Sequence, residues 1–317
     1  MDVVTIGETM VLFTPEGSPL MRYSHTYSRK FGGAETNVAI GLSRLGHSTG
    51  WISKVGNDEF GKAMVSFIRG EGVDISQVKS DPNAPTGLYF KEVRSGEDVR
   101  VQYYRSGSAA STLTPSDLNE EYIAKAKYLH ITGITPALSE SCYKTILKAI
   151  EIAKKHRVTV VFDPNLRRKL WSEGKARKVL LEIAALSDII LPGIDEGNFM
   201  FGESDPQKLG NLFLSLGAKL VVLKVGAKGA YYFTESSSQL VPGFPVKTVI
   251  DPVGAGDGFA AGVISGLLEG LQVELAVQRG NAVGAIATQV HGDFEGLPDV
   301  EELDRFLNRT NAEDINR

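Results

Sequence analysis

The run Asp251-Pro-Val-Gly-Ala-Gly-Asp257 aims a row of backbone N–H groups and one carboxylate at a single point. The residues before it, Val246 to Ile250, are mostly β-branched and read as a buried strand; Gly258 to Leu268 has the small and apolar residues of a buried helix. A glycine-rich turn that opens a helix leaves the first amides unpaired beside the positive end of the helix dipole. Such a place favours an anion, most simply a phosphate. Asp257 would repel that anion, so it calls for a second role, and accepting the proton of an incoming hydroxyl supplies one. A free aspartate has a pKa of roughly 4 and is expected to be ionised at neutral pH. The amides of Gly254, Ala255, Gly256 and Asp257 would stabilise charge on the transferring group. Two plainer readings compete: an ordinary first-turn aspartate of an α/β helix, and a dinucleotide-type match in Gly256-Asp-Gly-Phe-Ala-Ala261. The latter needs a second strand ending in an acid, whereas Val273 to Val290 reads as helix throughout.

A second glycine motif, Phe31-Gly-Gly-Ala-Glu-Thr-Asn37, precedes the amphipathic run Val38 to Leu45. Gly32 and Gly33 allow a ligand to approach the backbone, and Asn37 can donate to and accept from hydroxyls. The pair of motifs, GGAETNVA at 32–39 followed by Gly46 and Gly56, and DPVGAGDGFAAG at 251–262, resembles the two signatures of the ribokinase-like (PfkB) family of sugar and nucleoside kinases. The resemblance extends to about residue 307. It implies an α/β three-layer sandwich with a mostly parallel central sheet and a small β-sheet lid. ATP and magnesium, and in some members a monovalent cation, are the implied cofactors.

Many family members end the first strand in GExLxD, whose aspartate holds sugar hydroxyls; here Gly7-Glu-Thr-Met-Val-Leu12 puts a leucine there. That weakens ribose, adenosine or fructose as the substrate. The chain instead supplies Tyr103-Tyr-Arg105 and Asp163-Pro-Asn-Leu-Arg167, with two arginines suited to a carboxylate. This combination, with Gly292-Asp-Phe-Glu-Gly296, is similar to the branch that phosphorylates the primary C6 hydroxyl of 2-keto-3-deoxygluconate; a kinase of a neutral sugar such as fructose is the nearer alternative, and a non-catalytic sugar or nucleotide sensor the more distant one. The resemblance implies sugar-acid contacts from Gly33, Asn37, Tyr89, Tyr103, Arg105, Arg167 and Asp293. On the residues alone, Arg105 could equally lie on a solvated hairpin, Arg167 in a basic loop, and Asp293 in a turn. ATP contacts are implied at Asn165, Lys224, Gly226, Gly229, Gly254, Gly256 and Asn281. There is no GxxxxGK[ST] sequence, so other amides must hold the phosphates. Glu196 matches the acid of a family NxxE motif that helps place hydrated magnesium, although Gly193 replaces its asparagine.

These residues need a sheet to carry them. Val3 to Ile6, Gly50 to Val55, Tyr128 to Thr132, Val158 to Phe162, Ile189 to Leu191 and Leu220 to Val225 read as strands. Between them Phe60 to Gly70, Glu140 to Lys155, Lys175 to Leu186 and Pro206 to Leu216 read as amphipathic helices. This alternation predicts a sheet covered on both faces. Thr86 to Arg105 alternates around Ser95-Gly-Glu-Asp98 and predicts a hairpin, with Tyr103 and Arg105 on one face and Gln102 and Tyr104 on the other. We expect one domain over residues 1–310, a lid from about 10–30 and 86–107, and a tail at 311–317.

Of 317 residues, 42% are hydrophobic and 23% charged, close to globular averages, so disorder is not indicated. The net charge of −4 gives no argument for nucleic-acid binding. A single cysteine, Cys142, excludes an internal disulfide framework, and five scattered histidines match no transition-metal spacing. The N-terminus has no basic flank and no long apolar run, so a cytoplasmic protein that binds no membrane is expected. Exposed lid edges favour pairing into a homo-oligomer.

Overall fold

A computed structural model describes residues 1–16, 20–95 and 98–315 of the chain. Strand β1 (Val3–Ile6) passes within three residues into β2 (Met10–Pro15), and β3 (Tyr27–Gly32) leads directly to helix α1 (Ala34–Arg44). Then come β4 (Thr49–Gly56), α2 (Glu59–Gly70), β5 (Val78–Asp81), and the antiparallel hairpin β6 (Leu88–Ser95) and β7 (Asp98–Tyr104). The middle of the chain alternates α3 (Glu120–Ala124), β8 (Tyr128–Thr132), α4 (Ile134–Leu138), α5 (Glu140–Lys155), β9 (Thr159–Asp163), α6 (Glu173–Ala185), β10 (Ile189–Ile190), α7 (Ile194–Phe201) and α8 (Pro206–Ser215). It closes with β11 (Leu220–Lys224), β12 (Gly229–Phe233), β13 (Ser238–Pro242), α9 (Ala255–Leu268), α10 (Val273–Ala287) and α11 (Val300–Ile315), which runs beyond residue 310.

Local sequence accounts for these elements. In α5, Ser139 caps the first turn by accepting from the Cys142 amide, Lys154 and Lys155 face the negative end of the dipole, and Cys142, Ile146, Ala149, Ile150 and Ala153 recur at helical spacing and are buried. Along β1 the side chains alternate, Val3 packing on one face of the sheet and Val4 and Ile6 on the other.

Nine strands form the main sheet in the order β13-β12-β11-β10-β9-β8-β1-β4-β5; neighbours are parallel except where β12 meets β11 and β13, so β12 alone runs against the rest. One face packs Ile6, Leu129, Phe162 and Leu223 against α5, α6, α7 and α8. The other packs Val3, Val161, Leu191 and Val222 against α1, α9 and α10. The result is the expected three-layer sandwich. Fully burying a side chain such as Phe162 contributes about 1.5–3 kcal/mol, and the sheet carries many of them.

A second sheet of four strands, β3-β2-β6-β7, forms the lid, with β2 and β6 parallel and the other pairs antiparallel. Tyr103 stacks on Tyr89, whereas Tyr104 packs edge-on against Phe90 on the outer face. The hairpin tip at Gly96 and Glu97 and the loop at 17–19 lie outside the described residues.

One expectation fails. Val246 to Ile250 is not a strand, and Val249 is 49% exposed. Pro242 ends β13, and Pro245 and Pro252 remove donors that a ladder needs, so these β-branched residues border a cleft instead of entering the core. Among the described residues no helix is long and apolar enough to cross a membrane.

Candidate active site

The helix α9 starts where the glycine turn predicts. Gly254 is its N-cap with φ 84°, a left-handed conformation, and a Cβ there would overlap the Asp293 carbonyl oxygen. No side chain caps this end, and the amides of Gly256 and Asp257 make no backbone hydrogen bond among the described residues. Four unpaired positions at a helix N-terminus are normally met by caps, water or a ligand. A Cβ on Gly256 would meet only Lys224 Nζ, at 4.0 Å, so this glycine opens onto free space.

Asp257 is half-buried beside these amides, and its Oδ2 accepts from Asn37 Nδ2 at 2.8 Å. Burial pushes its pKa up to about 7; the Asn37 hydrogen bond and Arg167 pull it down, while Asp163 and Asp293 add to the rise. The expectation of an ordinary, fully ionised aspartate at neutral pH is therefore corrected. Its reason is first the burial of the carboxylate, with the nearby Asp163 and Asp293 adding to it.

Two clefts meet at this turn. The first, about 400 Å³, lies between the lid and the carboxyl ends of the parallel strands, where α/β sheets hold ligands. Its walls include Gly33, Asn37, Tyr89, Tyr103, Arg105, Arg167 and Asp293, together with Gly254, Gly256 and Asp257. Asn165, expected on the nucleotide side, also lines this cleft, with φ 37° in the turn after β9. The second cleft, about 600 Å³, is more apolar and is bordered by Gly226, Gly229, Phe244, Val249, Phe259 and Asn281. Ala255 also lines the second cleft, and Lys224, Pro252 and Gly256 line both. Asn281 donates to the carbonyls of Val241 and Pro242, so its amide nitrogen is committed to the backbone after β13.

The charged residues are not equally available. Arg105 is buried and donates from Nε to Glu8 Oε2 at 2.7 Å, with Nη2 2.5 Å from the same oxygen; Ser108 donates to the other Glu8 oxygen. The two arginines expected to hold a carboxylate both line the first cleft but differ in their partners. Arg105 has a resident carboxylate, whereas Arg167 is exposed and makes no ion pair among the described residues. Lys224 bonds to Asp163 at 2.9 Å; burial alone would lower its pKa, but Asp163 and Glu196 carry it upward.

Glu196 lies in the first cleft with one oxygen accepting from the Gly193 amide at 2.7 Å and the other from the Leu166 amide at 2.9 Å. Burial and then Asp163 raise its pKa. Among the described residues no group of three side chains could cage a metal ion. With both its oxygens accepting amides, Glu196 fits contact with a hydrated divalent cation through water better than direct ligation.

Several residues here escaped the sequence reading. Lys91 and Asp251 are buried partners at 2.7 Å, and Lys91 also meets Asp293 at 2.9 Å. Strand alternation carried a signal, since Lys91 shares a face with Tyr89, two residues away, and a charge on an inward face needs a partner. Glu35 is fully buried, accepts from Thr132 and Thr135, and burial raises its pKa. It closes the floor beneath Gly7. Asp163 was visible only as the start of the DPNLR run, not as the partner of Lys224.

A sheet with helices on both faces, a lid, and a helix-start anion site beside a carboxylate define a group-transfer enzyme of the phosphotransferase kind. Residues 1–300 match the family of pfkB family carbohydrate kinases. The chain is 43% identical to 2-dehydro-3-deoxygluconokinase of Bacillus subtilis over 309 residues, covering 97% of this chain and 95% of that protein. It superimposes on the crystal structure of a PfkB protein from Polaromonas sp. with a TM-score of 0.89 and 41% identity, covering 96% of this chain and 99% of the other. A double mutant of fructokinase from Vibrio cholerae, solved with fructose, ADP and a potassium ion, aligns with a TM-score of 0.86 and 29% identity over 97% of this chain and 98% of that one. The chain belongs to the pfkB family of carbohydrate kinases.

Proposed function

We propose that this chain phosphorylates the C6 hydroxyl of 2-keto-3-deoxygluconate (2-dehydro-3-deoxygluconate), using ATP with magnesium. The observation that carries the reading is the meeting of two clefts at Gly256, one polar and flanked by Arg167, the other apolar and wide enough for an adenosine. The similarity to 2-dehydro-3-deoxygluconokinase of Bacillus subtilis favours this sugar acid over neutral sugars.

In this reading the sugar acid lies beneath Tyr89 and Tyr103, and its carboxylate pairs with Arg167. Arg105, already neutralised by Glu8, offers hydrogen bonds more than charge. Adenine occupies the cleft at Phe244, Val249 and Phe259, with the phosphates passing Lys224 toward the turn. Asp257, once deprotonated, takes the hydroxyl proton as the oxygen attacks the γ-phosphorus. The bond between that phosphorus and the β–γ bridging oxygen breaks, and ADP leaves. The amides at the start of α9 and the Lys224 ammonium stabilise the equatorial oxygens. Glu196 would hold magnesium through a water, and the ion would supply neutralising charge for the phosphates.

We also propose that two copies pair through their lids, whose outer surface exposes Tyr23 (63%) and Tyr104 (58%); sedimentation of a Tyr104→Glu variant as a monomer supports this, and an unchanged species rejects it. The function is tested by ADP release over a panel of 2-keto-3-deoxygluconate, fructose, ribose and adenosine. A kcat/KM at least 100-fold higher for the sugar acid is expected, and comparable use of fructose would assign a neutral-sugar kinase.

A further inference from the structure

Lys91 sits in the middle of strand β6 with only 2% of its surface exposed. Its ammonium is 2.7 Å from Asp251 Oδ2 and 2.9 Å from Asp293 Oδ1, and both carboxylates are themselves buried. A lysine is seldom so enclosed, and its desolvation is costly unless the partners are well placed. Here burial alone would draw the proton off, but Asp293 and Asp251 outweigh it and hold the group as a cation.

The partners make the arrangement informative. Asp251 is the first residue of the anion turn: its Oδ1 accepts from the Val253 amide at 3.1 Å and its Oδ2 from the Gly292 amide at 3.1 Å. Asp293 accepts from Tyr89 at 2.6 Å, and its backbone carbonyl fills the space that a Cβ on Gly254, the N-cap of α9, would need. One ammonium therefore joins three segments: the lid strand, the start of the turn, and the loop that braces the turn. Without it two buried carboxylates would face each other, and the turn would be pushed from the geometry that aims its amides. Lys91 also borders both the sugar-side cleft and a separate cavity of about 300 Å³ reaching Lys30 and His291.

We propose that the Lys91 ammonium is a tethered monovalent cation that holds the Asp251 to Asp257 turn in its anion-binding shape, so that this chain needs no alkali metal ion for that task. Lys91 is a positioning residue, since it acts through Asp251 and Asp293. The inference rests on the kinase reading above and concerns the same site.

The test compares ADP release from the sugar acid in buffers whose only inorganic monovalent cation is potassium, sodium or ammonium, or in which tetramethylammonium replaces all of these. Wild type should keep its kcat within twofold throughout. Lys91→Ala joins the cleft to the neighbouring cavity and should lose about 100-fold in kcat, the scale of a misplaced site. Ammonium or potassium should restore at least tenfold of that loss with a saturable dependence. Lys91→Met, whose side chain keeps the space filled, should lose as much and recover nothing. The proposal is overturned if wild type falls tenfold without alkali ions, if Lys91→Ala stays within threefold of wild type, or if a folded Lys91→Ala is rescued by no cation. Should Lys91→Ala fail to fold, the wild-type comparison alone decides. A wild type with no kinase activity toward any sugar rejects the function itself, a result distinct from all of these.

Discussion

Asn37 donates its side-chain amide to Asp257 Oδ2 across 2.8 Å, joining two glycine motifs that are 220 residues apart in the chain. The contact sets the carboxylate's orientation and also lowers its pKa against the larger upward effect of burial. The first motif thus orients the proposed base and tempers the rise in its proton affinity.

If Asp257 is the general base, Asp257→Asn should reduce kcat by about 10²–10⁴ while leaving sugar-acid affinity within about threefold. Single-turnover kinetics and calorimetric titration measure the two quantities. A variant within a few-fold of wild type removes Asp257 from the mechanism.

The pKa near 7 gives that prediction a pH signature. The base works deprotonated, so kcat/KM should rise with pH through about 7 and level off above it. Asn37→Ala removes an interaction that favours the ionised form, so its acid limb should move to higher pH; a limb that stays put or moves down contradicts the assignment. Stability has the opposite sense. A carboxylate whose folded pKa lies above its unfolded value of roughly 4 costs stability progressively from pH 4 to 7, and the cost is constant above that. Asp257→Asn should therefore match wild type in stability near pH 4 and exceed it by about 1–3 kcal/mol at pH 8, read from urea melts.

The two glycines of the turn should separate by readout. Gly254→Ala meets the Asp293 carbonyl oxygen and a left-handed backbone, so it should destabilise the fold by about 1–3 kcal/mol as well as abolish turnover. Gly256→Ala finds only Lys224 Nζ at 4.0 Å and should leave the melting temperature nearly unchanged while reducing kcat at least tenfold. Equal loss of stability in both would mean that Gly256 serves packing and not a ligand.

The arginines should also divide. Arg167→Ala should raise KM for the sugar acid at least tenfold, change it little for fructose, and leave stability within about 0.5 kcal/mol. Arg105→Ala strands Glu8 in a buried site and should cost about 3–5 kcal/mol in stability. Equal effects of Arg167→Ala on acidic and neutral sugars would reject its pairing with a carboxylate.

Much of this architecture was legible because it is local. Helix α5 was bounded to the residue, since its cap, basic last turn and apolar spacing all fall within the segment Ser139–Lys155. The alternation of Gln102 to Arg105 gave the correct lid face because a strand has a period of two. What stayed hidden depends on distant partners. Glu8 meets Arg105 from 97 residues away, and Lys91 meets Asp293 from 202, so neither segment announces that its charge is already matched. Val246 to Ile250 misled for the converse reason: β-branched residues suit a strand interior and the rim of an apolar cleft equally well.

The three-residue link between β1 and β2 has a corollary. Tyr89, Tyr103 and Arg105 come from the small sheet and its exit, whereas Phe244, Phe259 and Asn281 come from the last quarter of the chain. In the proposed reading most acceptor contacts and most donor contacts thus come from different stretches of the chain, with Arg167 and Asp293 as the exceptions on the sugar side. Altering lid residues such as Tyr103 should therefore reshape the sugar side with little effect on the nucleotide side, provided that Lys91, which ties the lid to Asp251, is kept.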